Sequence, residues 1–160
     1  MISEDIHARV LFLKKVVQKE FKHLTYSDEQ TFKNLLTINK VKSLATDEAF
    51  SETVEAFGSR FGRFQDTLGQ KLLPLWIKVL GEQPAALIDN LNKAEQLGLL
   101  SSTEEWLRIR ELRNQMVHEY IEDNTILLNA LQSAHQSIPL MQNMMHNLLK
   151  DLDYRLLDNP

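Results

Sequence analysis

Cysteine is missing from all 160 residues, which removes disulfides, thiolate metal sites and a cysteine nucleophile together. Glycine is scarce, at five residues, and never gathers into a loop that could cradle a phosphate. G-x-S-x-G and H-E-x-x-H are also lacking, because His118-Glu119 is followed by Tyr120-Ile121-Glu122. No apolar run approaches the roughly 18 residues of a membrane span, and the opening MISEDIHARV has no signal-peptide layout. A cytoplasmic protein with no membrane partner is therefore expected. Strand-like alternation persists nowhere, which leaves an all-α fold.

What is present suits that fold. Hydrophobic content of 43% and charged content of 25% are those of an ordinary globular protein, and the length fits one domain over residues 1–160. The net charge of −4 argues against broad, non-specific nucleic-acid binding. Five of the seven arginines nevertheless sit in two short segments, Arg60 and Arg63, then Arg108, Arg110 and Arg113. Local positive charge can exist within an acidic whole, although ion pairs with Glu104, Glu105 and Glu111 are the plainer reading of any single one.

Helical periodicity divides the chain. Ile6, Val10, Leu13, Val17 and Phe21 mark a first helix over residues 2–23, with Ser3, Glu4 and Asp5 favouring its N-terminus. LTYSD at 24–28 reads as a break, and Phe32, Leu35, Leu36, Ile38 and Val41 suggest a shorter second helix. Residues 46–80 carry the strongest repeat, Phe50, Val54, Phe57, Phe61, Phe64 and Leu68, with a kink expected near Gln70–Pro74. Gly58, Gly62 and Gly69 inside it each cost up to about 1 kcal/mol against alanine, which points to close helix approach. Gly81 ends that segment. Pro84 should open a helix running to Leu97 and stopping at Gly98. A last helix, capped by Asp123 or Asn124, should run over 125–152 with a bend at Pro139 and a frayed tail, DLDYRLLDNP. Met141, Met144 and Met145 fit core positions on it better than a ligand box. His7, His23, His135 and His146 lack ligand spacing, so no metal site and no cofactor is expected. The sum is an antiparallel bundle of five or six helices.

Residues 101–124, SSTEEWLRIRELRNQMVHEYIEDN, stand apart from this scaffold. Ser102 with Glu105 makes a capping box, Ser101 with Glu104 repeats it, and Trp106, Ile109, Leu112 and Met116 form one apolar stripe. Arg110, Asn114 and His118, four apart, share a row, with Arg113 beside Arg110. Histidine titrates near neutrality and serves as general acid or base, while the arginine fork suits phosphate oxygens. Together they fit metal-independent RNA cleavage, in which a base activates the ribose 2′-OH against the adjacent phosphorus. Five residues separate Arg113 from His118, however, or roughly 140° around an ideal helix. They converge only if the helix loosens or if a symmetric homodimer brings two copies together.

Arg113-Asn-Gln-Met-Val-His118-Glu-Tyr120 reads R-x-x-x-x-H-x-Y, and upstream stand Ser59-Arg-Phe-Gly-Arg-Phe-Gln-Asp-Thr-Leu-Gly69 and Lys71-Leu-Leu-Pro-Leu75. In these segments and their order the chain resembles the HEPN-domain toxins that are paired with minimal nucleotidyltransferase antitoxins. The resemblance runs from about Thr46 onward; residues 1–45 are less distinctive. It implies a HEPN-like helical fold, a homodimer and metal-independent endoribonuclease activity, with Arg113 and His118 catalytic; Arg110 and Asn114, on the same flank, are read as supporting. It also implies that Tyr120 accepts a regulatory adenylyl group from the antitoxin. The alternative is a non-catalytic nucleotide- or partner-binding subunit of a minimal nucleotidyltransferase, and a plain helical interaction protein is a third reading.

Overall fold

A computed structural model describes residues 2–157, and for residues 118–121 the backbone alone. Among the described residues every regular element is helical, and the helices pack as a bundle around one contiguous apolar core. None of these helices is long and apolar enough to cross a membrane.

Helix α1 spans Glu4–Thr31, begun by Ser3, whose hydroxyl accepts the Ile6 N–H at 3.2 Å. It does not stop at His23, as the polar run at 24–28 suggested. Leu24, Ser27 and Thr31 extend the buried stripe of Val10, Leu13 and Val17 at steps of three, four and seven. Packing along the helix at Glu48–Asp66 thus outweighs the few tenths of a kcal/mol by which Ser, Thr and Asp disfavour a helix. Local bonds assist: the Thr25 hydroxyl donates to the Phe21 carbonyl, and Arg60 donates to Ser27 Oγ at 2.7 Å. The second helix is shorter than its sequence suggested. α2 covers only Ile38–Lys42, continued by a 3-10 turn at Ser43–Ala45, and Leu35 lies in the connection almost fully exposed.

α3 covers Glu48–Asp66, capped by Asp47, which accepts the Phe50 N–H at 3.0 Å. Phe57, Phe61 and Phe64 are fully buried along it. The expected kink is a wider, π-helical turn at Thr67–Leu72, after which α4 (Leu73–Val79) begins with Pro74 in its first turn. The irregular turn lets the chain pass a residue that has no N–H to give. α4 ends at Gly81 (φ +83°), where the Gly81 N–H reaches the Lys78 carbonyl and the Glu82 N–H that of Ile77. α5, Leu87–Gln96, closes in the same way at Gly98 (φ +79°), the Leu99 N–H bonding Ala94 at 2.9 Å. Both are Schellman ends, which only glycine enters without strain.

Pro84 precedes α5 rather than opening it. The buried amide of Asn90 accepts the Ala85 N–H at 2.9 Å and donates to the Ala85 carbonyl at 3.1 Å, holding that residue outside the helix. α6 (Thr103–Glu122) starts where the Ser102 hydroxyl accepts the Glu105 N–H at 3.1 Å; the Glu105 carboxylate pairs with Arg108 at 2.8 Å. α7 (Asn124–Leu157) is capped by Asp123, which takes the Thr125 and Ile126 N–H groups. It passes Pro139 without ending and buries Met141, Met144 and Met145. It continues to Leu157, past the expected end at Leu152, while residues 158–160 of the tail expected to fray lie outside the described residues. Asp151 accepts the buried Trp76 indole N–H and the Arg155 guanidinium, each at 2.7 Å, and Asp153 pairs with Lys14 at 2.8 Å.

Candidate functional site

A cavity of about 800 Å³ opens between α1, α3, the π-helical turn, α6 and α7. Val54, Met116, Leu127 and Leu131 give it an apolar floor, and Arg63, Lys71 and Arg113 bring cations to its wall. Glu20, Glu55 and Asp66 balance those charges. Its size and its apolar floor with a few polar groups are those of small-ligand sites in general.

Arg113 holds the central place. Its guanidinium is ion-paired to Asp66 at the end of α3, and the pair is accessible, at 42% and 46% exposure. An exposed pair of this kind adds little stability, so its consequence is positional. Gly62 completes the seat. A Cβ added there would stand 2.7 Å from Arg113 Nε and 3.0 Å from Cδ, so the absence of a side chain lets the arginine lie across α3. Gly69 does the same for Trp106, whose ring edge would meet a new Cβ at 3.2 Å. These two glycines account for the close approach of α3 and α6. Gly58 differs: a Cβ there meets nothing within 4 Å, and the residue leaves space in the cavity instead.

Glu20 sits on the opposite wall. Its Oε1 accepts the Thr67 hydroxyl at 3.0 Å, while Oε2 is buried without a partner. Burial raises its pKa above the usual carboxylate value; the Thr67 bond and the charges of Arg63 and Lys71 pull it down, and Asp66 adds to the rise. These two cations act on Glu20 without an ion pair of their own. Arg63 touches only Ser59 Oγ, at 3.5 Å, and neither it nor Lys71 forms an ion pair among the described residues.

The residues singled out in the sequence do not all meet here. Arg110 and Asn114 line a separate shallow groove with Glu104, Leu107, Arg108 and Glu111, so Arg113 alone of the three enters the cavity. Arg108 is engaged by Glu104 and Glu105, as the ion-pair reading had it. His118 and Tyr120 fall outside the described side chains, but α6 runs as unbroken α-helix through their backbone to Glu122. Among the described residues no group of three His, Asp or Glu side chains could hold a metal ion.

Sequence reasoning assigned no role to Glu20, Asp66, Thr67 or Lys71. The signal for Glu20 was present: it stands three residues after Val17 and four before Leu24, an acid on the apolar stripe of α1. Asp66, Thr67 and Lys71 lie in the segment that carried the family resemblance, yet only the packing of α6 on α3 pairs one of them with Arg113. Compared with protein-family models, curated proteins and solved structures, the chain finds no match.

Proposed function

We propose that this cavity is half of an RNA-cleaving site, and that the protein is the endoribonuclease toxin of a pair neutralised by a nucleotidyltransferase. The observation that carries the reading is the seating of Arg113. It is fixed by Asp66 and Gly62 at the mouth of a cavity of nucleotide size, with donors of its fork left to meet a phosphate. In the proposed reaction His118 takes the proton of a ribose 2′-OH, the 2′-oxygen bonds to phosphorus, and the P–O5′ bond breaks with the proton returned to O5′. Arg113 stabilises the charge that gathers on the phosphoryl oxygens.

The unbroken α6 bears on assembly. With no loosening between Arg113 and residue 118, the roughly 140° separation stands. A two-fold partner supplying the second member of each pair is the arrangement that reconciles them, so the homodimer belongs to this reading. Tyr120, two residues beyond His118, is the proposed acceptor of the neutralising adenylyl group.

The test compares RNA cleavage by wild-type protein, Arg113→Ala and His118→Ala in EDTA, with analysis of the ends for 2′,3′-cyclic phosphate. Cleavage by wild type alone, with both variants folded, supports the reading; equal cleavage by all three, or none by wild type, refutes it. One observation favours the non-catalytic alternative. The cavity's cations and carboxylates balance, and its floor is apolar, which suits holding a nucleotide as well as cutting a strand. Nucleotide binding without RNA cleavage would select it.

A further inference from the structure

Beyond Arg113, the arginines of α3 do not point to unrelated places. Glu20 and Arg63 line both the main cavity and a neighbouring recess of about 100 Å³, which His23 and Arg60 complete. Arg60 in turn lines a cleft of about 280 Å³ that holds Tyr26, an aromatic ring 60% exposed on α1. Shared residues thus connect the three hollows, the smaller two lying in the seam between α1 and α3. The charges along it are available. Arg60 is held by neutral acceptors alone, the His23 carbonyl at 3.2 Å and Ser27 Oγ at 2.7 Å, and Arg63 hydrogen-bonds only Ser59, its charge acting also on the Glu20 carboxylate.

We infer that this seam is a track for single-stranded RNA flanking the scissile phosphate, with Arg63 and Arg60 binding successive phosphates and Tyr26 stacking a base. The inference rests on the RNA-cleaving reading of the Arg113 cavity. Arg60 and Arg63 stand about one helical turn apart on α3, a ladder for a backbone rather than a cage for one small anion. An exposed ring serves a strand whose bases are free of pairing, which is how aromatic platforms read single strands without regard to sequence. Glu20, Glu52 and Glu55 line the same hollows, which keeps the number of phosphate contacts small and leaves stacking on Tyr26 to separate a strand from a polyacidic peptide.

The experiment measures binding of fluorescent 2′-O-methyl oligonucleotides, two and eight nucleotides long, to the full chain by anisotropy across a salt series. These probes lack the 2′-OH nucleophile and stay intact. Arg63→Gln and Arg60→Gln should each weaken octamer binding and reduce the slope of log K against log salt by about 0.7, the loss of one phosphate contact. Tyr26→Ala should weaken the octamer at least about fivefold while Tyr26→Phe retains it, and the dinucleotide should be indifferent to Arg60 and Tyr26. Arg9→Gln, an exposed arginine that lines none of these hollows, should bind both probes as wild type does. Because Arg60 also braces α1, a thermal melt accompanies its variant; if that variant melts early, Arg63 and Tyr26 carry the test. The track is refuted if the octamer binds no tighter than the dinucleotide, if Arg9→Gln loses as much, or if polyglutamate displaces the octamer at equal charge. Track-dependent binding with no RNA cleavage sinks the nuclease reading and leaves the track; cleavage that needs Arg113 and His118, with octamer binding untouched by the track variants, does the reverse.

Discussion

Gly62→Ala separates the positioning of Arg113 from the stability of the bundle. The new methyl carbon would lie 2.7, 3.0 and 3.2 Å from Arg113 Nε, Cδ and Cζ, where ordinary contact begins near about 3.4 Å. The arginine must therefore retreat by roughly half an ångström or more, swinging its fork away from Asp66. Alanine gains up to about 1 kcal/mol of helix propensity over glycine, and the exposed ion pair it disturbs is worth about 0–1 kcal/mol. Those terms nearly cancel, so the melting temperature should stay within about 2–4 °C of wild type. Cleavage responds to geometry instead: a displacement near 1 Å of a phosphate-holding group costs up to about a hundredfold in rate. Calorimetry and a single-turnover RNA cleavage assay, run on the same preparations, read the two quantities. Gly58→Ala is the companion, since its methyl meets nothing within 4 Å and leaves Arg113 in place; although it enters the cavity, it should lose far less cleavage than Gly62→Ala. Wild-type cleavage by Gly62→Ala, or equal losses in both variants, refutes the reasoning.

Two further expectations concern single groups. Glu20 binds its proton more tightly folded than unfolded, so its contribution to stability is present below its ordinary value of 4.5 and is lost as pH rises through the folded value. Glu20→Gln, which keeps an acceptor for Thr67, should melt above wild type at neutral pH, with the gap closing as the pH falls toward 4.5; a gap that does not narrow with acidification contradicts the assignment. Asp151→Ala strands the fully buried Trp76 indole N–H and should cost about 1–3 kcal/mol by denaturant titration, whereas Asp153→Ala, which breaks only the half-exposed pair with Lys14, should cost less than about 1 kcal/mol.

The sequence by itself determined the elements whose signals are local. Ser3, Asp47, Ser102 and Asp123 each cap a helix through their own side chain, and Gly81 and Gly98 end one through their own φ. Periodicity likewise placed Trp106, Ile109 and Met116 in the core, and Pro74 announced the irregular turn before α4. Where a neighbour's packing outweighed local preference, the reading failed. Burial of Leu24, Ser27 and Thr31 against α3 carries α1 through a polar run, the Asn90 amide withholds Ala85 from α5, and Trp76 with Lys14 carries α7 past Leu152.

The candidate site divides along the same line. R-x-x-x-x-H-x-Y is legible because its spacing lies on one helix. That Arg113 meets Asp66 over Gly62, that Glu20 accepts the Thr67 hydroxyl, and that Arg110 and Asn114 turn to another groove are decided only when α6 and α1 settle on α3. The physical reason is distance along the chain. A residue's helical face follows from its neighbours three and four away, but Asp66 and Arg113 are 47 residues apart, and only the folded bundle brings them together.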